Sequence, residues 1–330
     1  MAVSVTRGGP LDERRRRRAR LQLADRIGDR ALRGLCLLAA AVTCLVILDV
    51  AYQLIHGSSL ALSHFGLGFL VHSTWKPNFG QFGATTLLFG TAASSLMALV
   101  LAVPVAIAIG LYLALLAPGG VRGVVGSLVE MLAAIPSVIL GFWGILVLSP
   151  LVTHHIEPWL HDGFGFLPIF GAPQTTGASI FTAGLILAIM VVPIVASISR
   201  DLFQTVPREL QEAAEALGAT RWEVVRGVIL PETASGVAAA VCLGLGRALG
   251  EAIAVTQVIG AGHHPVQSTL FQTGDTFASR IANEFSNAFT KLHTASLFYL
   301  ALVLLVFSVL TNLTAIWIGR RFDRRRTVAV

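Results

Sequence analysis

Long apolar stretches alternate with shorter polar segments along the 330-residue chain. Each apolar stretch has about twenty residues or more, the length that an α-helix needs to cross a hydrocarbon core about 30 Å thick. Backbone groups in lipid must bond within their own segment, so these stretches are predicted to be transmembrane helices. The six predicted spans lie near residues 35–55, 86–116, 124–152, 178–198, 234–260 and 296–318. This pattern predicts an all-α, polytopic membrane protein.

Composition supports this prediction and changes how the charge is interpreted. Hydrophobic residues make up 55% of the chain and charged residues only 13%, whereas about a quarter of the residues in a soluble domain are charged. The net charge of +6 reflects arginines that are concentrated near both ends. Basic residues that flank transmembrane helices stay in the cytoplasm, so the charge indicates orientation in a membrane rather than nucleic-acid binding.

Charge asymmetry also predicts the limits of the domains. Residues 1–34 form a basic N-terminal tail, residues 35–319 the transmembrane domain, and residues 320–330 a basic C-terminal tail. An even number of spans places both tails on the same side, so both are predicted to be cytoplasmic. The segment 153–176 has no Lys or Arg and is predicted to be an outward-facing loop.

The histidines are candidates for metal ligands, but their spacing argues otherwise. All nine fall in segments assigned to the outside or its border, and His154, His155 and His161 are the densest group. No further ligand with suitable spacing accompanies them, which favours solvated loop residues and predicts no metal site.

The segment between the fourth and fifth predicted spans has a helical pattern. Pro207 suits a first helical turn, and Gly218 is placed to end that helix in the left-handed conformation. Thr220 followed by Glu223 is typical of a capping box that opens a second short helix, which Pro231 is expected to end. Two short helices joined at a glycine predict either a rigid projection for a partner protein or a loop packed on its own domain.

Seven positions in this segment follow a spaced pattern: Glu-Ala-Ala, three residues, Gly, nine residues, an apolar residue, one residue and Leu-Pro. The matching positions are Glu212, Ala213, Ala214, Gly218, Val228, Leu230 and Pro231. They resemble the EAA loop of ABC importer permeases, where Val228 is usually Ile. The resemblance implies a MetI-like type I importer permease domain, in which this coupling loop, 200–232 here, docks on the ATP-hydrolysing subunit.

Two further stretches carry a narrower resemblance. Glu130 followed by Ile-Pro-Ser-Val-Ile-Leu-Gly at 135–141, and Gly-Arg-Ala-Leu-Gly-Glu-Ala at 246–252, are similar to signatures of the C-type phosphate permease family (PstC). The similarity covers most of the chain from about residue 80. After Glu251 this chain has Ala-Ile-Ala-Val where that family commonly has Thr-Met-Ala-Val. Sulfate and molybdate permeases share a related Arg-Gly-Glu arrangement, so a sulfate or molybdate importer is the alternative.

Arg247 and Glu251 are the predicted residues of the substrate path. They are four residues apart in an apolar span and are therefore expected to share one helix face. A lone arginine at the bilayer centre costs about 2.5–3.5 kcal/mol on insertion scales, so such charges normally face the bundle interior and pair. Guanidinium matches phosphate through two hydrogen bonds. The hypothesis is that Arg247 meets the anion and Glu251 holds Arg247 when the path is empty; the alternative is a permanent pair that only fixes helix packing.

Prolines predict irregular backbone within the spans. Pro104, Pro136 and Pro193 should each bend or interrupt a helix. Pro136 and Ser137, followed by two nearby glycines, predict a break near mid-span. Irregular backbone at that depth must be buried in protein or line a wet cavity, so these two residues are candidates for lining the path.

The resemblance also implies partners. They are a second homologous permease (PstA-like), two ATPase subunits (PstB-like) and an extracytoplasmic phosphate-binding protein (PstS-like), assembled in the bacterial plasma (inner) membrane. The chain has no Gly-x-x-x-x-Gly-Lys-Ser/Thr motif, so ATP and Mg²⁺ are expected to belong to the ATPase and this chain to be non-catalytic and without a cofactor. The alternative from another class is an ATP-independent anion transporter or channel, which would not need the coupling loop.

Overall fold

The computed structural model describes residues 10–262 and 269–327, with side chains described at 28–262 and 269–317. Within these ranges every named element is helical, and one isolated bridge joins Lys76 and Gln81. This confirms the all-α prediction. The chain divides into two compact units, one up to His56 and one from Gly57 onward. The packing below lies within the second unit.

The helices are numbered along the chain. They are α1 (Pro10–Phe65), α2 (Thr85–Leu116), α3 (Gly119–Ala134), α4 (Ser137–Phe164), α5 (Ile180–Gln204), α6 (Arg208–Ala216), α7 (Arg221–Gly250), α8 (Ile253–Ile259), α9 (Phe277–Glu284) and α10 (Lys291–Thr327). Short 3₁₀ turns lie at Gly66–Leu70, Pro77–Phe79 and Phe285–Asn287. Helices α1 and α10 extend into the basic segments predicted as tails, whose first nine and last three residues lie outside the described ranges.

Six of these helices, α1, α2, α4, α5, α7 and α10, are long and apolar enough to cross a membrane. The predicted number of spans is confirmed, but the limits of three spans are wrong. The helix of the first span continues beyond residue 55 to Phe65. The third span begins at Ser137 and continues to Phe164, so the first part of the predicted outward loop is helical. The fifth span ends at Gly250 because the backbone becomes extended at Glu251, and α8 is a separate helix.

Prolines explain the irregular turns inside the long helices. Wide π-helical turns at Tyr112–Leu116, Gly144–Leu148, Val152–Ile156 and Val225–Ile229 are each followed two residues later by a proline, at 118, 150, 158 and 231. Proline has no N–H, and its ring clashes with the carbonyl four residues earlier in a regular helix. That carbonyl falls inside the π turn in each case, where hydrogen bonds span five residues instead of four.

This arrangement corrects the prediction for Pro231, which does not end the second loop helix because the π turn before it lets α7 continue to Gly250. Pro104 and Pro193 lie inside α2 and α5, which run through them, so a bend at these two positions stays a prediction. Pro136 does interrupt its helix, as predicted.

The main core surrounds α5. Helix α2 presents a stripe of small buried residues at four-residue spacing, namely Ala98, Ala102, Ala106 and Gly110. A Cβ at Gly110 would come within 3.1 Å of the backbone nitrogen of Arg200 on α5, so the two backbones are close. Small residues allow such close approach in membrane proteins, where packing rather than hydrophobic exclusion drives helix association. Buried residues of α4, α7 and α8 complete the same cluster.

Candidate coupling loop and substrate path

The predicted coupling loop lies between α5 and α7. Pro207 is extended (φ −55°, ψ 135°) and directly precedes α6. Gly218 has a φ of +85°, which residues with a Cβ rarely adopt, so glycine ends α6 as predicted. The predicted capping box is also present: the Thr220 hydroxyl accepts from the Glu223 N–H at 3.4 Å, and the Glu223 carboxylate accepts from the Thr220 N–H at 2.7 Å.

One side of this loop packs against its own domain. Val206, Val224 and Ile229 are buried together with Ala114 of α2 and Phe203 of α5. These contacts fix the loop to the ends of two long helices. Its position is therefore set by the transmembrane core.

The other side of the loop is open. Leu217 is 91% exposed, Trp222 65% and Leu210 46%. Glu212, Ala213 and Gly218 of the EAA pattern are exposed as well, whereas Ala214, Leu230 and Pro231 are half-buried. Large apolar side chains clustered at the tip of a structured loop mark a surface for another protein.

The break at Pro136 separates α3 from α4. Ile135 (φ −64°, ψ 126°) and Pro136 (φ −58°, ψ 137°) are both extended, and α4 begins at Ser137. The predicted break is therefore present at Pro136 and Ser137. A second break, which the sequence did not predict, separates α7 from α8. Glu251 is extended (φ −72°, ψ 116°), and its carboxylate accepts from the N–H of Ala254 at 3.4 Å, at the start of α8.

Helices α4 and α8 lie side by side, and each begins directly after a break. A Cβ at Gly141 would come within 3.1 Å of the Cα of Ala254, and one at Gly144 within 2.7 Å of the Val258 side chain. Residue numbers increase in the same direction along both helices, so the two helices are parallel.

The expected Arg247–Glu251 pair is not formed in this structure. Arg247 is exposed in the last turn of α7, and Glu251 is half-buried in the break. Among the described residues no salt bridge joins them. Glu251 lies at the helix end, where its carboxylate accepts from the N–H of Ala254 instead. Their role in a substrate path stays a prediction.

A family model described as the inner membrane component of binding-protein-dependent transport systems matches residues 106–328. The chain belongs to this family. It is 44% identical to a phosphate transport system permease protein PstC of Pasteurella multocida over 84% of this chain and 87% of that protein. It is 42% identical to a PstC of Mesorhizobium japonicum over 87% and 89% of the two chains.

Solved structures show the same fold at low sequence identity. A chain of the inward-facing MetNI methionine ABC transporter aligns with a TM-score of 0.52 at 18% identity, over 72% of this chain and 96% of that one. A chain of a bacterial alginate ABC transporter aligns with a TM-score of 0.54 at 17% identity, over 88% and 95%. The region of this chain that the family model matches contains both helix breaks and the whole coupling loop.

Sequence reasoning missed a buried polar cluster around α9 of the permease. The Arg280 guanidinium lies 2.7 Å from Glu284 Oε1 and 2.7 Å from Asp275 Oδ2, the second contact being at ion-pair distance without hydrogen-bond alignment. Trp75 Nε1 donates to Glu284 Oε2 at 2.8 Å, and His293 Nε2 lies 2.9 Å from the same oxygen. The cluster joins three separate parts of the chain.

The pKa values of the two carboxylates of this cluster, Asp275 and Glu284, are shifted in opposite directions. Burial raises the pKa of Asp275, although Arg280 and hydrogen bonds from Ser279 and Thr276 oppose that rise. Burial alone would raise the pKa of Glu284 too, but hydrogen bonds from Arg280, Trp75 and His293 hold it below its usual value. The spacing of Arg280 and Glu284 on one helix is the only local signal of this cluster, since Trp75 is 209 residues from Glu284.

Proposed function

We propose that this chain is the membrane-spanning permease subunit of an ATP-driven importer of inorganic phosphate. The observation that carries the proposal is its 44% identity to a protein named as a phosphate transport system permease, over most of both chains. The exposed coupling loop supports the ATP-driven class, because an ATP-independent transporter or channel has no need of a docking surface for an ATPase.

Coupling runs through α6 and its exposed tip. Leu210, Leu217 and Trp222 enter a groove of the ATPase subunit, and Glu212 and Ala213 contact its rim. ATP and Mg²⁺ are bound by that subunit, and this chain has no catalytic step and no cofactor of its own. Closing of two ATPase subunits on ATP moves the loop, and the buried face formed by Val206, Val224 and Ile229 passes the movement to α2 and α5.

The complex contains a second homologous permease, two ATPase subunits and an extracytoplasmic phosphate-binding protein. Both termini of this chain are cytoplasmic, which the arginine-rich ends support. The external binding protein captures the anion and supplies much of the selectivity. The permease then needs only weak contacts, because a substrate that binds tightly inside the path is not released.

Arg247 supplies one of these contacts. Its side chain is exposed next to the break that separates α7 from α8, where the backbone is irregular in an otherwise apolar region. A guanidinium forms two parallel hydrogen bonds with a phosphate. The carboxylate of Glu251, four residues away, weakens the attraction enough for release. Pro136 and Ser137 line the path at the neighbouring break.

The test is uptake of labelled phosphate into proteoliposomes that contain this chain with its partner permease, ATPase and binding protein. Uptake should require ATP and should not be reduced by excess unlabelled sulfate or molybdate. Uptake without ATP would reject the importer mechanism. Transport of sulfate or molybdate in place of phosphate would retain the coupling loop and reject the substrate.

A further inference from the structure

A small polar cavity lies beside the junction of α4 and α8. Its volume is about 230 Å³. Its polar lining consists of Ser149, Thr153, His154, Thr175, Thr176 and Gln257. None of these described lining residues is a lysine, arginine, aspartate or glutamate, so the cavity differs in chemistry from the neighbourhood of Arg247.

Gln257 is the unusual residue of this lining. Its side-chain oxygen is buried and accepts no hydrogen bond from any residue within the described ranges. The oxygen lies against Gly141 of α4, where a Cβ would overlap it. Buried polar atoms in native proteins nearly always have a partner. Gln257 also lines the cavity, so rotation of its amide about the terminal torsion can present this unused acceptor to a ligand.

The rest of the lining offers neutral hydrogen-bonding groups. The Thr153 hydroxyl donates to the Ser149 carbonyl oxygen at 3.0 Å, which leaves the hydroxyl oxygen free to accept. Thr175 and Thr176 are exposed at the rim, and Ser149 is buried at the base. Polar groups such as these are unfavourable against lipid, so this side of α4 fits a wet cavity better than a lipid-facing surface.

We propose that this cavity is a transit site for the protonated phosphate anion, with the Gln257 amide as the group that binds its P–OH. The proposal rests on the proposed function, since it assumes that phosphate enters the path. Phosphate at neutral pH always carries at least one proton on an oxygen, whereas sulfate carries none. A site for phosphate therefore needs an acceptor as well as donors, and a site for sulfate needs donors alone.

The amide group of glutamine supplies both a hydrogen-bond donor and a hydrogen-bond acceptor. The terminal torsion of glutamine is broad and roughly two-fold, so either the oxygen or the NH₂ group of Gln257 can turn toward the cavity. The oxygen then accepts from P–OH, and the hydroxyls of Ser149, Thr175 and Thr176 donate to the remaining phosphate oxygens. A site that is built to hydrogen-bond an O–H group discriminates strongly against a ligand that lacks it. Neutral donors also hold an anion weakly enough for onward movement.

The test uses the complete reconstituted transporter with Gln257→Leu, which keeps the size of the side chain and removes both donors and acceptor. Phosphate uptake and ATP hydrolysis are measured on the same proteoliposomes with saturating binding protein. Gln257→Leu should lower the maximal uptake rate about tenfold and keep ATP hydrolysis stimulated by the binding protein. The matched control is Thr256→Val on the same short helix, whose hydroxyl donates to the Ala252 carbonyl at 2.7 Å and does not line the cavity.

Equal uptake by Gln257→Leu and Thr256→Val would overturn the proposal. If Gln257→Leu does not assemble, the exposed pair Thr175→Val and Thr176→Val decides instead: reduced uptake with retained ATP hydrolysis supports the site, and unchanged uptake overturns it. A wild-type complex that imports no phosphate rejects the proposed function itself, and with it this site. The two failures are thus distinguished by the wild-type measurement.

Discussion

Replacing Arg280 should destabilise the permease more than replacing any exposed cation near it. The Arg280 side chain is 5% exposed and lies against the carboxylates of Asp275, which is 2% exposed, and Glu284, which is 20% exposed. Its guanidinium also lies 5.8 Å from the centre of the Trp75 ring. Removing the cation leaves the buried carboxylate of Asp275 and the half-buried carboxylate of Glu284 without the guanidinium that lies against both of them.

Loss of one partner of a buried ion pair costs about 3–5 kcal/mol, because the remaining charge stays buried without compensation. We expect Arg280→Met to lie within that range and to lower the apparent melting temperature of the purified protein by about 5–10 °C. The assay is thermal unfolding in detergent, followed by tryptophan fluorescence. Lys291→Ala is the control, since Lys291 is exposed at the start of α10 and forms no salt bridge within the described residues.

A triple variant separates charge from packing. Arg280→Met combined with Asp275→Asn and Glu284→Gln removes the buried charges together, so it should recover much of the lost stability. If Arg280→Met has the same melting temperature as the wild-type protein, the cluster does not stabilise the fold and the reasoning from burial is wrong. If the triple variant is as unstable as the single one, shape rather than charge explains the loss.

Three other outcomes are expected. Arg247→Ala should lower ATP-driven phosphate uptake at least about tenfold, with the complex still assembled on size-exclusion chromatography; failure to assemble would favour a packing role instead. Gly90→Ala should cost about 1–3 kcal/mol in thermal unfolding, because its Cβ would overlap the carbonyl oxygen of Asp275, whereas Gly123→Ala, with open space around it, should cost nothing. Because the pKa of Glu284 is lowered in the folded state, the stability that its carboxylate contributes is present above its unfolded pKa and is lost as the pH falls through the folded pKa. Glu284→Gln should therefore flatten the decline of the melting temperature at acid pH, and an unchanged slope would contradict the lowered pKa.

The parts of the molecule that could be predicted from the sequence depend on local interactions. Apolar length alone determines whether a segment can cross a bilayer, so the number of spans was predicted correctly. The coupling loop was predicted in detail because Gly218, Thr220 and Glu223 act through backbone conformation and hydrogen bonds within four residues. Pro231 was interpreted wrongly, because the π turn at Val225–Ile229 accommodates its ring and α7 continues to Gly250.

The parts that could not be predicted depend on contacts between distant segments. No proline marks the break at Glu251, and an apolar run continues on both sides of it, so hydropathy gave a single span. The cluster around Arg280 needs Trp75 and His293, which approach it only in the folded chain. Gly141 and Gly144 entered the sequence analysis only as part of the predicted break, but their lack of a side chain serves the close approach of α8.

The two broken helices suggest how a permease can combine weak binding with directional passage. The backbone is irregular at Pro136 and at Glu251, directly before the starts of two parallel helices. Arg247 lies four residues before Glu251, and Gln257 lies six residues after it, in α8. An anion that follows α8 would therefore meet a charged contact and a neutral one in succession. Two such weak sites let the anion leave each one without crossing a deep energy minimum, which a single tight site could not provide.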